Sequence, residues 1–498
     1  MGLLRSLIVP CLLRPRSVGV IDDRRAWQRI ELLGYALHLA AAIERASTAQ
    51  RIGVMLPTSG LFPATALATW MLGRTLVPLN YLLSRGDLDY IAGNAQLDTV
   101  VTVGPMIDLV GGSPLGTKPL RLEEVNRRGI PPLRLPHGLR TRELAVVLYT
   151  SGTSGRPKGV MLTAGNLAAN MEQVRRRARF TRGEVMLGVL PQFHSFGLTI
   201  LTLLPMALGC TAVYSARFVP RRVIELARAH RATVFVALPS MYNALRTVRD
   251  ATGEEFRTLR YAVSGGEPLP MSVSDAFHER FGVRISEGYG LTETAPVANW
   301  CMPEEYRAGS VGRPVDWVDE RIVGPDGADM PVGADGEVRI HGPNVMAGYL
   351  GMPDETAAAF DERGYFRSGD MGRFDSDGHL RITGRIKEML IISGENVFPR
   401  EIEDAVRRHP SVKDAAVVGE PDDMRGEVPV AFVELRDGAE FDPAAIRATC
   451  RETLPPYKVP REVRCLEALP RNPTGKVLRR QLSSMPVSGA GTPAGEHR

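Results

Sequence analysis

The sequence predicts an α/β protein. A large N-terminal domain is built of two βαβ-type subdomains and a β-rich subdomain, and a small α+β domain follows. Three observations predict this. From Arg51 onward short apolar runs alternate with helix-length stretches, the pattern of largely parallel sheets crossed by helices. After Arg313 dense Gly and Asp separate short alternating runs, as in a set of hairpins. From Arg400 a helix, two strands and a second helix form a group of their own. At 498 residues the chain exceeds what one ordinary core organises.

In chain order, Met1–Arg14 is apolar with two arginines, interrupted by Pro10 and without a small-residue cleavage site. It reads as a docked N-terminus, with a short amphipathic contact to a membrane surface as the alternative. Arg51–Leu56 reads as a buried strand and Pro63–Met71 as a helix stopped at Gly73. Val100–Val103, Leu144–Tyr149, Val185–Leu190, Thr211–Tyr214 and Thr233–Ala237 are further strands, with helices over Asn166–Arg177 and Arg221–Ala229. Gly336–Ile340 alternates as a hairpin strand does. Helix Glu401–Arg408, strands Ala415–Gly419 and Val428–Leu435, and helix Pro443–Glu452 make up the small domain. The expected division is 1–386, 387–482 and a disordered Gly/Pro/Ser-rich tail over 483–498.

Composition excludes several classes. With 44% hydrophobic and 23% charged residues the chain reads as soluble and globular, and no apolar run reaches the ~20 residues of a membrane span. A net charge of +5 is mild for this length, so the arginines of Arg175–Arg179 read as a solvated helix face and not as a nucleic-acid patch. Five scattered cysteines without C-x-x-C spacing exclude a zinc ribbon and a disulfide framework, and fit a reducing, cytoplasmic compartment.

Lysine usage points to the chemistry. Only six of the 61 basic residues are lysine, so arginine serves wherever a generic positive charge suffices. The compact, flexible ammonium and the planar guanidinium are not interchangeable. Lys158 lies in Tyr149-Thr-Ser-Gly-Thr-Ser-Gly-Arg-Pro-Lys-Gly-Val-Met161, Lys387 in Gly384-Arg-Ile-Lys-Glu388, and Lys476 in Pro470-Arg-Asn-Pro-Thr-Gly-Lys-Val477. These windows cover roughly 5% of the chain and hold half its lysines. The first, rich in Gly, Ser and Thr, offers backbone N–H groups and hydroxyls to an anion, with Lys158 as mobile charge. It is no Walker A sequence, and its plainer reading is a flexible Gly/Ser turn.

At this loop the chain resembles the acyl-adenylate-forming superfamily, which includes acyl-CoA synthetases, firefly luciferase and the adenylation domains of nonribosomal peptide synthetases. The resemblance spans roughly residues 30–480 and repeats the family's motif order. The further motifs are Leu190-Pro-Gln-Phe-His-Ser-Phe-Gly-Leu198, Ser264-Gly-Gly-Glu-Pro-Leu269, Glu287-Gly-Tyr-Gly-Leu-Thr-Glu-Thr294 and Gly364-Tyr-Phe-Arg-Ser-Gly-Asp370. Gly384–Glu388, Ile392-Ser-Gly-Glu-Asn-Val397 and Pro470–Lys476 complete the set.

The resemblance implies that Thr150, Ser151, Gly152, Thr153, Ser154, Gly155 and Lys158 hold the β- and γ-phosphates of ATP. Thr150 and Glu293 face Mg²⁺, a hard ion that takes oxygen ligands, and Thr292 contacts the α-phosphate. Tyr289 stacks on adenine, with Gly265, Gly266, Glu267 and Gly290 lining that pocket. Asp370 accepts the ribose hydroxyls, with Arg385 alongside. Lys476 bridges the substrate carboxylate and the α-phosphate, where charge develops in the transition state. Lys387 stands at the hinge of a mobile C-terminal domain. Ser393, Gly394 and Glu395 approach the thiol channel after that domain rotates. His194 occupies the acid pocket. Each has a plainer reading: a helix-start carboxylate for Glu293, core side chains for Tyr289 and His194, a surface Asp for Asp370, a solvated lysine for Lys476.

The activity this implies is ATP-dependent ligation of a medium- or long-chain fatty acid to coenzyme A through an acyl-AMP, releasing AMP and pyrophosphate. An acyl carrier protein as thiol, an aryl acid as substrate, and a non-catalytic adenylate or acyl sensor are the alternatives. The Asp with which amino-acid-activating members pair the substrate amine is missing. The apolar run Leu198–Leu208 either lines a hydrophobic pocket or forms a core helix.

Overall fold

The alternating apolar runs become the inner strands of two sheets in the computed structural model, which describes residues 2–132, 137–150, 156–393, 395–422, 424–471 and 477–483. In one sheet Thr75–Pro78, Arg51–Met55, Thr99–Thr102 and Lys118–Arg121 run parallel, and Leu144–Thr150 pairs parallel with Thr75–Pro78. In the other, Ile285–Tyr289, Tyr261–Ser264, Val234–Ala237, Val185–Gly188 and Thr211–Tyr214 are parallel neighbours in that order. Val54, Val101, Val146, Leu187 and Phe235 are wholly buried. Strands covered on both faces read as continuous apolar runs, which is why these were visible in the sequence.

Several strands were not. Thr75–Pro78 is only four residues long and ends in proline, and Tyr261–Ser264 and Ile285–Tyr289 interleave polar residues. The larger difference follows the Gly/Ser-rich loop. The sequence reads no strand between the loop and the helix over Asn166–Arg177, whereas the structure forms the strand Lys158–Thr163, antiparallel to Leu144–Thr150 with Thr150 opposite Lys158. Helix Ala164–Arg177 starts only beyond it, capped by Thr163, whose hydroxyl accepts from the Asn166 N–H.

The N-terminal segment is a helix, Leu3–Leu13, that continues through Pro10, with Leu3, Leu4, Leu7 and Cys11 buried. The run Leu198–Leu208 is core: Leu198, Leu201, Leu203 and Leu204 are at most 1% exposed. The Gly/Asp-rich region folds as a four-stranded sheet of Asp319–Val323, Gly336–His341, Phe366–Phe374 and Leu380–Arg385.

The chain divides into two compact units, 1–368 with 372–382, and 369–371 with 383–498. The second has its own sheet, in which Gly426–Leu435 pairs with Val412–Asp422, Leu390–Ile392 and Glu462–Leu466, and its own core around Ile402, Val417, Val433 and Ile446. Among the described residues no helix is long and apolar enough to cross a membrane.

Candidate active site

The hairpin Leu144–Thr150 and Lys158–Thr163 brings Thr150 and Lys158 side by side at its loop end. Ser151, Gly152, Thr153, Ser154 and Gly155 lie between them, outside the described residues. Gly159 is needed here, since a Cβ would come within 3.0 Å of both Val147 and the Tyr149 ring. The Lys158 ammonium sits 5.1 Å from the centre of the Tyr349 ring. The Tyr349 hydroxyl in turn donates to Glu293 Oε1 at 2.9 Å. Lys158, Tyr349 and Glu293 thus form one chain of contacts, and Tyr349 is the member that motif reasoning missed.

Local backbone fixes this chain. Gly348 and Tyr349 pair with Met161 and Val160, extending the sheet by one short strand. Gly348 has φ +136° and leaves room for Thr356, whose hydroxyl accepts from the Tyr349 N–H at 2.9 Å. The Met346 N–H donates to the Glu293 carbonyl at 2.8 Å. Burial and the Glu293 carboxylate push the Tyr349 phenol well above its ordinary range, so it stays a hydrogen-bond donor.

Thr292 and Glu293 lie in a 3-10 turn, Thr292–Thr294, held from behind by buried amides. Asn344 Nδ2 donates to the Thr294 and Val297 carbonyls at 2.9 and 3.1 Å. Asn170 binds both the N–H and the carbonyl of Val297. Asn344, Asn170 and Gln173 are fully buried; the first two pair with backbone at and beyond the turn, and Gln173 links to both of them and to the Asp316 carbonyl. No motif marked these residues.

Across the turn, Ser195 Oγ stands 3.4 Å from Thr292 Oγ1 and joins it to the histidine segment. Gly197 is obligatory, as a Cβ would lie 2.1 Å from the Pro191 carbonyl oxygen. Gln192, 1% exposed, accepts from the Ser59 N–H and donates to Thr202, so it pins the segment to a loop of the other sheet. The His194 side chain is exposed. Desolvation alone lowers its basicity, and no charged side chain contributes.

The adenine-side motifs also meet here. A Cβ on Gly265 would lie 2.7 Å from the Phe196 ring, and one on Gly266, at φ +83°, would lie 3.3 Å from Leu238. Glu287 accepts from the Leu269 N–H at 3.1 Å and ties the Gly265–Glu267 loop to the strand that ends at Tyr289. Gly290 is required by contact, since a Cβ would lie 1.8 Å from the Pro296 carbonyl oxygen. In strand register Asn299 lies opposite Tyr289, and its amide donates to Glu320 at 2.9 Å. A separate hollow of about 200 Å³ beside Glu320, Met330 and Phe374 holds none of the motif residues.

The second unit brings together its own pair, with Arg385 Nε 2.8 Å from Asp370 Oδ1 and Asp370 only 3% exposed. Gly384 leaves room for the Phe398 ring, which a Cβ would approach to 2.5 Å. Lys387 is exposed in the short turn Ile386–Glu388. Ser393 and Glu395 flank the turn of the hairpin Leu390–Ile392 and Glu395–Val397, with Ser393 at φ +54°; Gly394 is outside the described residues. Lys476 is also outside them, in a segment flanked by an isolated bridge between Arg471 and Val477. Among the described residues no group of three His, Cys, Asp or Glu is placed to hold a metal ion. One carboxylate together with substrate phosphates suits Mg²⁺, and the Glu293 carboxylate would fit that part.

Comparison with known proteins accounts for this arrangement. Residues 13–350 match the AMP-binding enzyme family and residues 401–476 match its C-terminal domain. The chain is 35% identical to a sulfoacetate–CoA ligase of Cupriavidus necator, over 87% of each protein. It is 32% identical to a feruloyl-CoA synthase of Amycolatopsis, over 93% of this chain and 95% of that one. A long-chain-fatty-acid–CoA ligase of Bacillus subtilis is 35% identical over 68% of this chain and 61% of its own length. ATP-bound MatB from Rhodopseudomonas palustris superposes with a TM-score of 0.90 at 29% identity, covering 97% of this chain and 98% of that one. The chain belongs to the AMP-binding enzyme family, within the acyl-adenylate-forming superfamily, and is an acid–CoA ligase.

Proposed function

We propose that this ligase activates a medium- or long-chain aliphatic acid. The observation that carries the reading is the apolar character of the histidine segment: Phe193 and Leu198 are buried, and Phe196 and Leu238, both half-buried, stand against Gly265 and Gly266. Desolvation lowers the basicity of His194. An alkyl tail suits such side chains, and the Asp with which amino-acid-activating members pair an amine is missing from the sequence. The relatives that act on sulfoacetate, ferulate and long-chain fatty acids all use coenzyme A. The carrier-protein alternative finds no support in them.

In the first step the acid's carboxylate oxygen attacks the α-phosphorus of ATP and pyrophosphate leaves. Two anions meet, so positive charge and donors must already be in place. A neutral His194 donates one ring N–H to the carboxylate and orients it without trapping it as an ion pair. Thr292 offers its hydroxyl to the α-phosphate, and Lys158 and Thr150 serve the outer phosphates. Lys476 bridges the reacting oxygens. Glu293 would hold a Mg²⁺ ion through a carboxylate whose Oε1 accepts from the Tyr349 hydroxyl, and that ion would supply neutralising charge to the phosphates. In the second step the coenzyme A thiol attacks the acyl carbonyl and AMP leaves. Rotation of the C-terminal domain about Lys387 withdraws Lys476 and brings up Ser393–Glu395.

The test is AMP release with coenzyme A across acetate, butyrate, octanoate and palmitate, with sulfoacetate and ferulate alongside. Each buried methylene contributes about 0.8 kcal/mol, roughly fourfold, so efficiency should climb by far more than tenfold from acetate to octanoate. A flat series, or a preference for sulfoacetate or ferulate, removes the aliphatic reading and leaves the ligase chemistry standing.

A further inference from the structure

We propose that the outer face of the N-terminal helix docks this protein on an anionic lipid surface. The helix Leu3–Leu13 contains only two polar residues, Arg5 and Ser6. Its inner face buries Leu3, Leu4, Leu7 and Cys11. Its outer end leaves Leu12 58% and Leu13 76% exposed. The patch continues onto the next helix: the Ile30 N–H donates to the Pro15 carbonyl at 3.0 Å, and Ile30 is 41% exposed. A helix that is apolar on every side belongs in a core or against another apolar phase. Here one side is packed and the other faces outward.

Charge selects the occupant. Arg5, Arg14 and Arg16 are exposed around the aliphatic patch, and no Asp or Glu occurs before Asp22. The neighbouring acids are already engaged. Asp22 accepts from the Trp27 indole and the Gly60 N–H, Asp23 from the Ala216 N–H, and Glu31 pairs with Arg25. Exposed leucines with an arginine rim match the boundary between acyl chains and anionic headgroups. The reading stands apart from the identity of the acid, since none of these residues belongs to the catalytic machinery.

The experiment is co-sedimentation of the full chain with vesicles of phosphatidylcholine and phosphatidylglycerol at about 2:1, and with phosphatidylcholine alone. The protein should partition at least tenfold more strongly onto the anionic vesicles, and salt at about 0.5 M should weaken that binding. Leu12→Glu with Leu13→Glu should lower binding by tenfold or more, and Arg14→Glu with Arg16→Glu should abolish the preference for anionic vesicles. Unchanged thermal midpoints show that the variants fold. Equal binding of wild type and both variants overturns the proposal. So does concentration-dependent self-association that Leu12→Glu with Leu13→Glu removes, which would assign the face to a second copy of the chain.

Discussion

Two regions of the N-terminal unit meet at Thr292 and are built on opposite principles. On one side Lys158, Tyr349 and Glu293 form a connected polar chain, and the turn carrying Glu293 is braced by the buried amides of Asn170 and Asn344. On the other side lies the histidine segment, in which Phe193 and Leu198 are buried and desolvation lowers the basicity of His194. The polar side must place charge to within tenths of an ångström, because preorganised donors stabilise a transition state only where charge develops. The apolar side needs only volume and dryness, and many side-chain combinations supply those. In the function proposed above, the first region fixes the reaction and the second selects the acid.

The largest effect expected from breaking the polar side is at Lys476. Lys476→Ala should slow acyl-AMP formation by roughly 10²–10³-fold while thioester formation from supplied acyl-AMP survives. Pyrophosphate release and thioester assays run in parallel read the two steps, and equal loss of both would end the two-state account. Lys387→Pro should give the reverse pattern, with adenylate accumulating as thioester formation fails, because proline stiffens the turn. Normal rates in both steps would remove Lys387 as the pivot. Tyr349→Phe deletes one hydroxyl and keeps the ring beneath Lys158. Adenylation should fall about tenfold with little change in the affinity for the acid, since the lost hydrogen bond serves Glu293 alone. A rise in the KM of the acid with kcat unchanged would show that Tyr349 belongs to the other side.

The smallest expected effect concerns stability. Glu320, bonded to the Asn299 amide beside the Tyr289 strand, is pushed up by burial to about 8 and keeps Oε1 without a hydrogen-bond partner. Its folded pKa lies above the ordinary 4.5, so below pH 4.5 both states are protonated and burial adds no pH-dependent penalty. Between that point and about pH 8 the unfolded chain loses a proton that the folded one retains. Stability then declines by up to about 1.4 kcal/mol per pH unit, and the decline ends above the folded pKa. Glu320→Gln should leave stability unchanged near pH 4 and raise it by a few kcal/mol near pH 8, as read by urea unfolding at both pH values. A pH-independent difference would show that Glu320 is ionised in the folded protein.

The sequence by itself determined many of the inner strands and the order of the motifs. Strands such as Arg51–Met55 and Val234–Ala237, buried along nearly their whole length, are continuous apolar runs, and glycines such as Gly197, Gly265 and Gly290 stand where a Cβ would strike a neighbouring ring or carbonyl. It also singled out Glu293, Asp370 and Arg385 by motif. Only the tertiary structure decided that Tyr349 stands between Lys158 and Glu293, that Gln192 pins the histidine segment, and that Asn170 and Asn344 brace the catalytic turn. These hydrogen bonds act across 50 to 133 positions of chain, and an isolated tyrosine or amide carries no local signal of its distant partner. Leu198–Leu208 shows the same limit, because a run of leucines reads alike in a pocket wall and in a core. What separates the two is packing from elements remote in sequence, which closes over Leu198 and Leu203 entirely.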